Sequence, residues 1–212
     1  MSQIIAVVGI VVLVIAGLIT ANKLVDLGVD VYLTRRIPAA LGGAAYLVAI
    51  LWTDATMAIV LSAVISSVII VYRFTVKKGL RGVKGSLSSQ PWVEITYLVS
   101  ATVSLIIGWG ILGDAWLAFL PIAFMAWGDT ISGLVSEFLH RRNRRIRLWP
   151  SLAMLVTCLV CGGLYSPYWI AAIGATVATV AEKFPPKISG IQDDNWIIIG
   201  ASLGVMAAIQ AS

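Results

Sequence analysis

Eight apolar segments joined by short polar connections leave this chain few ways to fold. They run Ile4–Ala21, Ile37–Trp52, Ala55–Tyr72, Trp92–Trp109, Ala115–His140, Trp149–Leu164, Tyr168–Glu182 and Trp196–Gln210. A helix of about 20 apolar residues spans a bilayer core, where the backbone has to satisfy its own hydrogen bonds. The pattern predicts an all-α, polytopic membrane helix bundle with about seven or eight transmembrane helices, residues 1–212 forming one integral membrane domain. Several segments fall short of a full span, so some are expected to be tilted, interfacial or half-length. Composition points the same way: the chain is 59% hydrophobic and 12% charged, against roughly 25% charged in soluble domains. Pro38, Pro91, Pro150 and Pro167 stand at segment starts, where a missing N–H costs nothing. Seven of the tryptophans, among them Trp52, Trp92, Trp149 and Trp196, sit near segment ends, as an aromatic belt requires.

Charge supplies a topology. With the N-terminus outside, the loops Asn22–Arg36, Arg73–Pro91, Arg141–Leu148 and Lys183–Asn195 fall on one side and hold all 15 basic residues. The opposite loops, Thr53–Asp54, Gly110–Asp114 and Tyr165–Pro167, hold none. The positive-inside rule places the basic loops in the cytoplasm and both termini outside. The first segment lacks a basic n-region and a small-residue cleavage site, which predicts a retained helix. The membrane is expected to be a prokaryotic plasma membrane or one of endoplasmic-reticulum type. The net charge of +5 comes from span ends, so anionic lipid heads and nucleotide phosphates are the expected partners and nucleic acid is not. A homodimer is an allowed assembly. No internal repeat is visible, which weighs against transporters built from inverted repeats.

Within the fifth segment lies a carboxylate, Asp129, at a depth where an unpaired charge costs at least about 2.5–3.5 kcal/mol. Ser132, Ser136 and His140 follow it on one helical face, and Gly128 and Gly133 leave room for a close neighbour. Arg141, Arg142, Arg144, Arg145 and Arg147 come next and suit bidentate phosphate binding. The plain alternative for this run is a positive-inside stop signal, and for Glu137 and His140 a solvated helix end. The last inner loop brings Glu182, Lys187, Asp193, Asp194 and Asn195. An N-cap explains one of the last three, and not all of them together with Glu182. Oxygen ligands of this kind suit Mg²⁺ held between carboxylates and substrate phosphates. Arg35, Arg36, Lys77, Lys78 and Lys84 could close such a site from the other inner loops. A single histidine and two cysteines, Cys158 and Cys161, one turn apart in an apolar run, leave no zinc or haem set.

These motifs carry a resemblance. Trp127-Gly-Asp-Thr-Ile-Ser-Gly-Leu-Val135, then Ala175-Thr-Val-Ala-Thr-Val-Ala-Glu182, then Asp194-Asn-Trp196 resemble the dolichol kinase, phytol kinase and CTP-dependent diacylglycerol kinase family, within the phosphatidate cytidylyltransferase-like membrane superfamily. The resemblance runs from about Arg35 to the C-terminus, with the helix 4–21 peripheral to that core. It implies a CTP-dependent, Mg²⁺-dependent lipid kinase that phosphorylates a membrane lipid alcohol (a polyprenol or dolichol, an isoprenoid alcohol or a diradylglycerol) at the cytoplasmic face. By position, Asp129, Glu182 and Asp194 would be catalytic, and Asp129, Asp193 and Asp194 would hold the metal. Ser132, Arg141, Arg142, Arg145, Arg147, Lys187 and Asn195 would bind nucleotide or phosphate. Two family elements differ here. A Lys-Ser-x-Glu-Gly-Ser stretch is replaced by Ile146-Arg-Leu-Trp-Pro-Ser151, and an early Arg-Lys-x-x-His reads Arg35-Arg-Ile-Pro-Ala39. The alternatives are a CTP-dependent cytidylyltransferase making a CDP-activated phospholipid, a lipid-phosphate transporter, and an inactive membrane partner.

Overall fold

The structure, a computed structural model, describes residues 2–76, 80–83, 92–142, 148–184, 187–188, 191–192 and 195–211, the side chains of 187–188 and 191–192 excepted. Every apolar segment folds as a helix. In chain order these are α1 (Gln3–Asp26), the single turn α2 (Val31–Thr34), α3 (Arg36–Trp52), α4 (Ala55–Thr75), α5 (Val93–Ser104), α6 (Ala115–Ala123), α7 (Thr130–Arg141), α8 (Leu148–Gly162), α9 (Tyr168–Lys183) and α10 (Asn195–Ala211). The only described strands, β1 (Lys187–Ile188) and β2 (Ile191–Gln192), pair antiparallel between α9 and α10.

Two helices change pitch. α5 continues as a π-helical segment, Leu105–Ile111, and α6 as another, Phe124–Asp129, which runs directly into α7. Counted through these segments, four helices among the described residues are long and apolar enough to cross a membrane: Gln3–Asp26, Ala55–Thr75, Val93–Ile111 and Ala115–Arg141. α8 and α10 are apolar but shorter. The expectation of about seven or eight transmembrane helices, some of them short of a full span, thus has four helices of sufficient length behind it among the described residues, in a helical chain that fits an integral membrane protein.

α6 and its π continuation form the core. From Leu117 to Ala126 every residue is buried, and Phe119, Phe124 and Leu120 are among the largest fully buried side chains. Small residues allow the approach: a Cβ on Gly108 would fall 2.6 Å from Ala118, and one on Gly43 would fall 2.8 Å from Ala126. α1 lies along α3, and α9 along α10. The outer faces stay apolar, with Val8, Val12 and Ile19 on α1 and Val60, Val64 and Val68 on α4 exposed. Uncovered apolar stripes of this extent are what a lipid-facing surface requires.

Helix caps tie one end of the bundle. Asp54 accepts from Met57 N at 2.9 Å and from Gln3 Nε2 at 3.1 Å. Asp114 accepts from Leu117 N at 2.9 Å, and its other oxygen accepts from Tyr165 Oη and Gln210 Nε2, both at 3.1 Å. The opposite end gathers the start of α3, the end of α4, the starts of α5 and α10, and the end of α9.

Candidate functional site

Asp129 is the last residue of the π segment and the first flank of α7. π segments are frequent at functional sites. Asp129 is not alone in the apolar surroundings. Arg36, at the first turn of α3, donates through Nη1 to Asp129 Oδ2 at 2.5 Å and to the Asp129 carbonyl at 2.5 Å. The arginine side chain is 8% exposed and the carboxylate 18%. Arg36 Nη2 donates to Tyr32 Oη at 3.1 Å, and the Arg36 and Arg35 guanidinium groups both lie over the Tyr32 ring, at 5.0 Å and 4.9 Å. α2 thus places an aromatic face under two cations. Gly133, one turn into α7, makes this possible, because a Cβ there would collide with the Arg36 guanidinium.

One turn beyond Asp129, Ser132 is buried and donates to Glu182 Oε1 at 2.8 Å. The two residues come from elements 50 positions apart, α7 and the last turn of α9. Asp129 and Arg36 are close enough to act electrostatically on Glu182. The four side chains therefore form one polar group, with two carboxylates, one guanidinium and one hydroxyl. Asp129 commits Oδ2 and Glu182 commits Oε1, so each carboxylate keeps its other oxygen outside these pairs. Asn195, 2% exposed, donates to the Val93 carbonyl at 2.8 Å and to Thr96 Oγ1 at 3.4 Å, holding the start of α10 to the start of α5.

A cavity of about 140 Å³ begins at this end. Its polar wall consists of Arg35, Arg36, Asp129, Glu94 and Asn195. The rest runs between α1, α3, α4 and α5 over residues that are mostly apolar, from Leu18 and Ile69 to Ile10, Ala49 and Ala58. Glu94, buried on α5, forms an ion pair with Arg73 of α4, whose guanidinium also lies 5.5 Å from the Trp92 ring.

The remaining expected residues separate. Ser136 and His140 share the helical face of Asp129 but are exposed. Arg141 Nε donates to Glu137 at 2.8 Å across one exposed turn, and Arg142 lies 4.3 Å from the Phe138 ring. Arg145, Arg147, Asp193 and Asp194 lie outside the described residues. Lys187 is described only as backbone, in β1. Among the described residues no cluster of three or more His, Cys, Asp or Glu side chains forms that could hold a metal ion. Carboxylate oxygens such as those of Asp129 and Glu182 are donors of the kind that suits a hard cation. The sequence singled out Asp129 but not its partner: Arg36 was one of several basic residues near the site, and no spacing rule joins positions 93 apart. The Arg73–Glu94 pair was missed, although Glu94 is the only acid within its segment and that is the signal that could have found it.

No family model, curated protein or solved structure matches the chain at a significant level.

Proposed function

We propose that this chain is a membrane lipid phosphotransferase that binds its lipid in the cavity between α1, α3, α4 and α5, with the reacting head at the Arg36–Asp129 end. One observation carries the reading: an ion pair and two further carboxylates, Glu94 and Glu182, stand in or beside the polar mouth of a cavity whose remaining walls are mostly apolar. That is the distribution an amphiphile with a polar reacting head would meet. The motif resemblance supplies the chemistry, phosphate transfer from CTP to a lipid alcohol. In this reading the chain spans the membrane eight times, the basic loops and the site face the cytoplasm, and both termini lie outside.

The roles follow from position. Asp129 stands nearest the lipid head and is the group that would orient or accept the proton of its hydroxyl. Ser132 fixes Glu182, and Asn195 ties the start of α10 to the start of α5. Asp129, Asp193 and Asp194 would hold Mg²⁺, which when bound neutralises charge on the nucleotide phosphates. Arg36 pairs with Asp129 beside the cavity and adds a cation at its mouth. Arg141, Arg142, Arg145, Arg147 and Lys187 would bind the nucleotide phosphates.

The deciding experiment incubates the purified protein with labelled CTP, Mg²⁺ and a panel of lipid alcohols and lipid phosphates. Transfer of the γ-phosphate supports the kinase. Transfer of CMP replaces it with the cytidylyltransferase. No turnover together with no CTP-dependent change in melting temperature removes both. A second reading, a lipid-binding partner without turnover, is favoured by the commitment of Asp129 Oδ2 to Arg36, which leaves less of that carboxylate for a metal.

A further inference from the structure

The hydroxyl side chains that line the cavity, Tyr46, Ser62 and Tyr97, divide into two kinds. Tyr46 and Ser62 bond to each other at 2.9 Å, and Ser62 continues to Thr102 at 2.8 Å. Thr102 in turn donates to the Leu98 carbonyl at 2.9 Å. This chain of hydroxyls ends on a backbone acceptor and asks nothing of a ligand. Tyr97 is different. It is 9% exposed, and its hydroxyl has no hydrogen-bond partner among the described residues. The hydroxyl reaches from α5 to α3, where it stands 2.9 Å from the place a Cβ on Gly42 would take.

One turn earlier, on the same face of α5, is Glu94, 5% exposed. Arg73 pairs with its Oε1, and Oε2 has no hydrogen-bond partner among the described residues. Glu94 and Tyr97 both line the cavity. A buried polar atom without a partner is costly, and folded proteins pair such atoms with protein groups, water or a ligand. Two of them on one helical face, at one cavity, mark a place where something binds.

The chemistry of the missing partner follows from theirs. Arg73 already balances the charge of Glu94, so a cation there would stand beside a guanidinium, and an anion would meet a carboxylate. Glu94 Oε2 can only accept, whereas the Tyr97 hydroxyl can donate. A neutral hydroxyl answers both, donating to Glu94 and accepting from Tyr97. It is distinct from the reacting hydroxyl, which is assigned to Asp129 and has a single proton to give. Size bounds the rest. The cavity volume of about 140 Å³ is close to that of an engineered cavity of about 150 Å³ that takes one benzene ring. That is room for about the six heavy atoms of a glycerol unit, so a long chain attached to it would stay in the bilayer.

We infer that Glu94 and Tyr97 form a binding position for a second hydroxyl on the lipid head, and that the lipid carries a two-hydroxyl head of about glycerol size. The inference rests on the reading of the cavity as the lipid site and narrows the class of lipid. Glu94 and Tyr97 set specificity and take no part in phosphate transfer. A site built to pair a hydroxyl rejects the analogue that lacks it, because its own buried groups are then left unpaired.

The test is binding of tritiated 1-O-tetradecylglycerol to the full-length protein in nanodiscs without CTP. The competitors are the unlabelled compound and 3-tetradecyloxypropan-1-ol, which differs from it only by lacking the middle hydroxyl. The diol should bind about tenfold more tightly, the scale of one hydrogen bond to a group otherwise left unpaired. Tyr97→Phe should shrink that ratio to about threefold, with Glu94 still accepting. The melting temperature of ligand-free Tyr97→Phe should equal or exceed that of the parent, because the hydroxyl makes no bond within the fold. Equal affinity for the two compounds, absence of binding included, would mean that water alone fills the position and would overturn the inference. A ratio unchanged in Tyr97→Phe, or a lower melting temperature in that variant, would overturn it too. Phosphate transfer from CTP is scored separately on the same two compounds. A preference for the diol in a protein without CTP turnover removes the phosphotransferase and keeps the second-hydroxyl position, and turnover without that preference does the reverse.

Discussion

The helix that runs from Ala115 through the π segment has an aspartate at each end, and the two are used in opposite ways. Asp114 stands before the first turn. Its oxygens are spent on the backbone N–H of Leu117, on Tyr165 and on Gln210, joining three parts of the chain at one end of the bundle. Both oxygens are engaged within the fold. Asp129 follows the last π residue but one, with apolar residues on both sides in the sequence. It caps no helix with its side chain, and its partner is a buried arginine from α3 at the mouth of a cavity. An aspartate that ends a connection is satisfied by the nearest backbone donor. One that interrupts a span needs a partner delivered from another helix, and the chain supplies Arg36 together with Gly133 to make room for it. Asp114 is architecture, and Asp129 is the acid around which the candidate site is assembled.

The sharpest test of that contrast is a pair of substitutions. Asp129→Asn should lower phosphate transfer from CTP by at least about 100-fold, the scale of losing one preorganised polar group in a catalytic site. It should also lower the melting temperature, because Arg36 loses its counter-charge while buried. Removing one partner of a fully buried pair costs about 3–5 kcal/mol. The retained amide oxygen and the 18% exposure of Asp129 should keep the loss below that range. Asp114→Ala should leave transfer by the folded protein unchanged and destabilise it by about 2–3 kcal/mol, from a lost cap and two side-chain hydrogen bonds. Activity in Asp129→Asn equal to that of the parent, measured with labelled CTP, would end the distinction between the two acids.

Ser132→Ala is a smaller break at the same site. It removes the donor to Glu182 Oε1 and should cost about 1–2 kcal/mol in thermal stability. Glu182→Gln should lower transfer while leaving the melting temperature within a few degrees, because an amide oxygen still accepts from Ser132. If Ser132→Ala moves neither stability nor transfer, the α7–α9 bond is incidental to the site.

Much of this was legible in the sequence. The segment Ile37–Trp52 became Arg36–Trp52, and Tyr168–Glu182 became Tyr168–Lys183. Apolar runs ended by Pro, Asp and Gly carry their own boundaries. Asp54 and Asp114, at turns in the sequence, are caps in the structure. The π segments carried no such mark: Leu-Ile-Ile-Gly-Trp-Gly-Ile and Phe-Met-Ala-Trp-Gly-Asp read as ordinary helix, since the change from i+4 to i+5 bonding is imposed by packing against neighbours. The pairing of Arg36 with Asp129 was hidden for a related reason. Sequence shows which charges exist and near which segment ends they fall, but which helix delivers the partner depends on three-dimensional approach, here through Gly133. The cavity was invisible for the same reason, because most of its walls come from four helices, α1, α3, α4 and α5, whose apolar residues individually look like lipid-facing core.

The smallest expected effect lies back at Asp114. Burial raises the Tyr165 phenol to about 12, and the negative charge of Asp114 with the bond to it acts in the same direction. An unfolded tyrosine titrates near 10. Between those values the folded protein keeps a proton that the unfolded chain has lost. The folded state then binds more protons, and stability falls as pH rises through the window. The contribution is fully present below about pH 10 and is lost toward pH 12. In Tyr165→Phe the proton is absent from both states, so the fall in melting temperature across that window should be shallower by the equivalent of about 1 kcal/mol. The same substitution should leave CTP-dependent transfer at neutral pH unchanged. A pH slope identical in parent and variant would mean that the Tyr165–Asp114 bond contributes nothing to holding this end of the bundle, and the structural role assigned to Asp114 would then rest on its cap and on Gln210 alone.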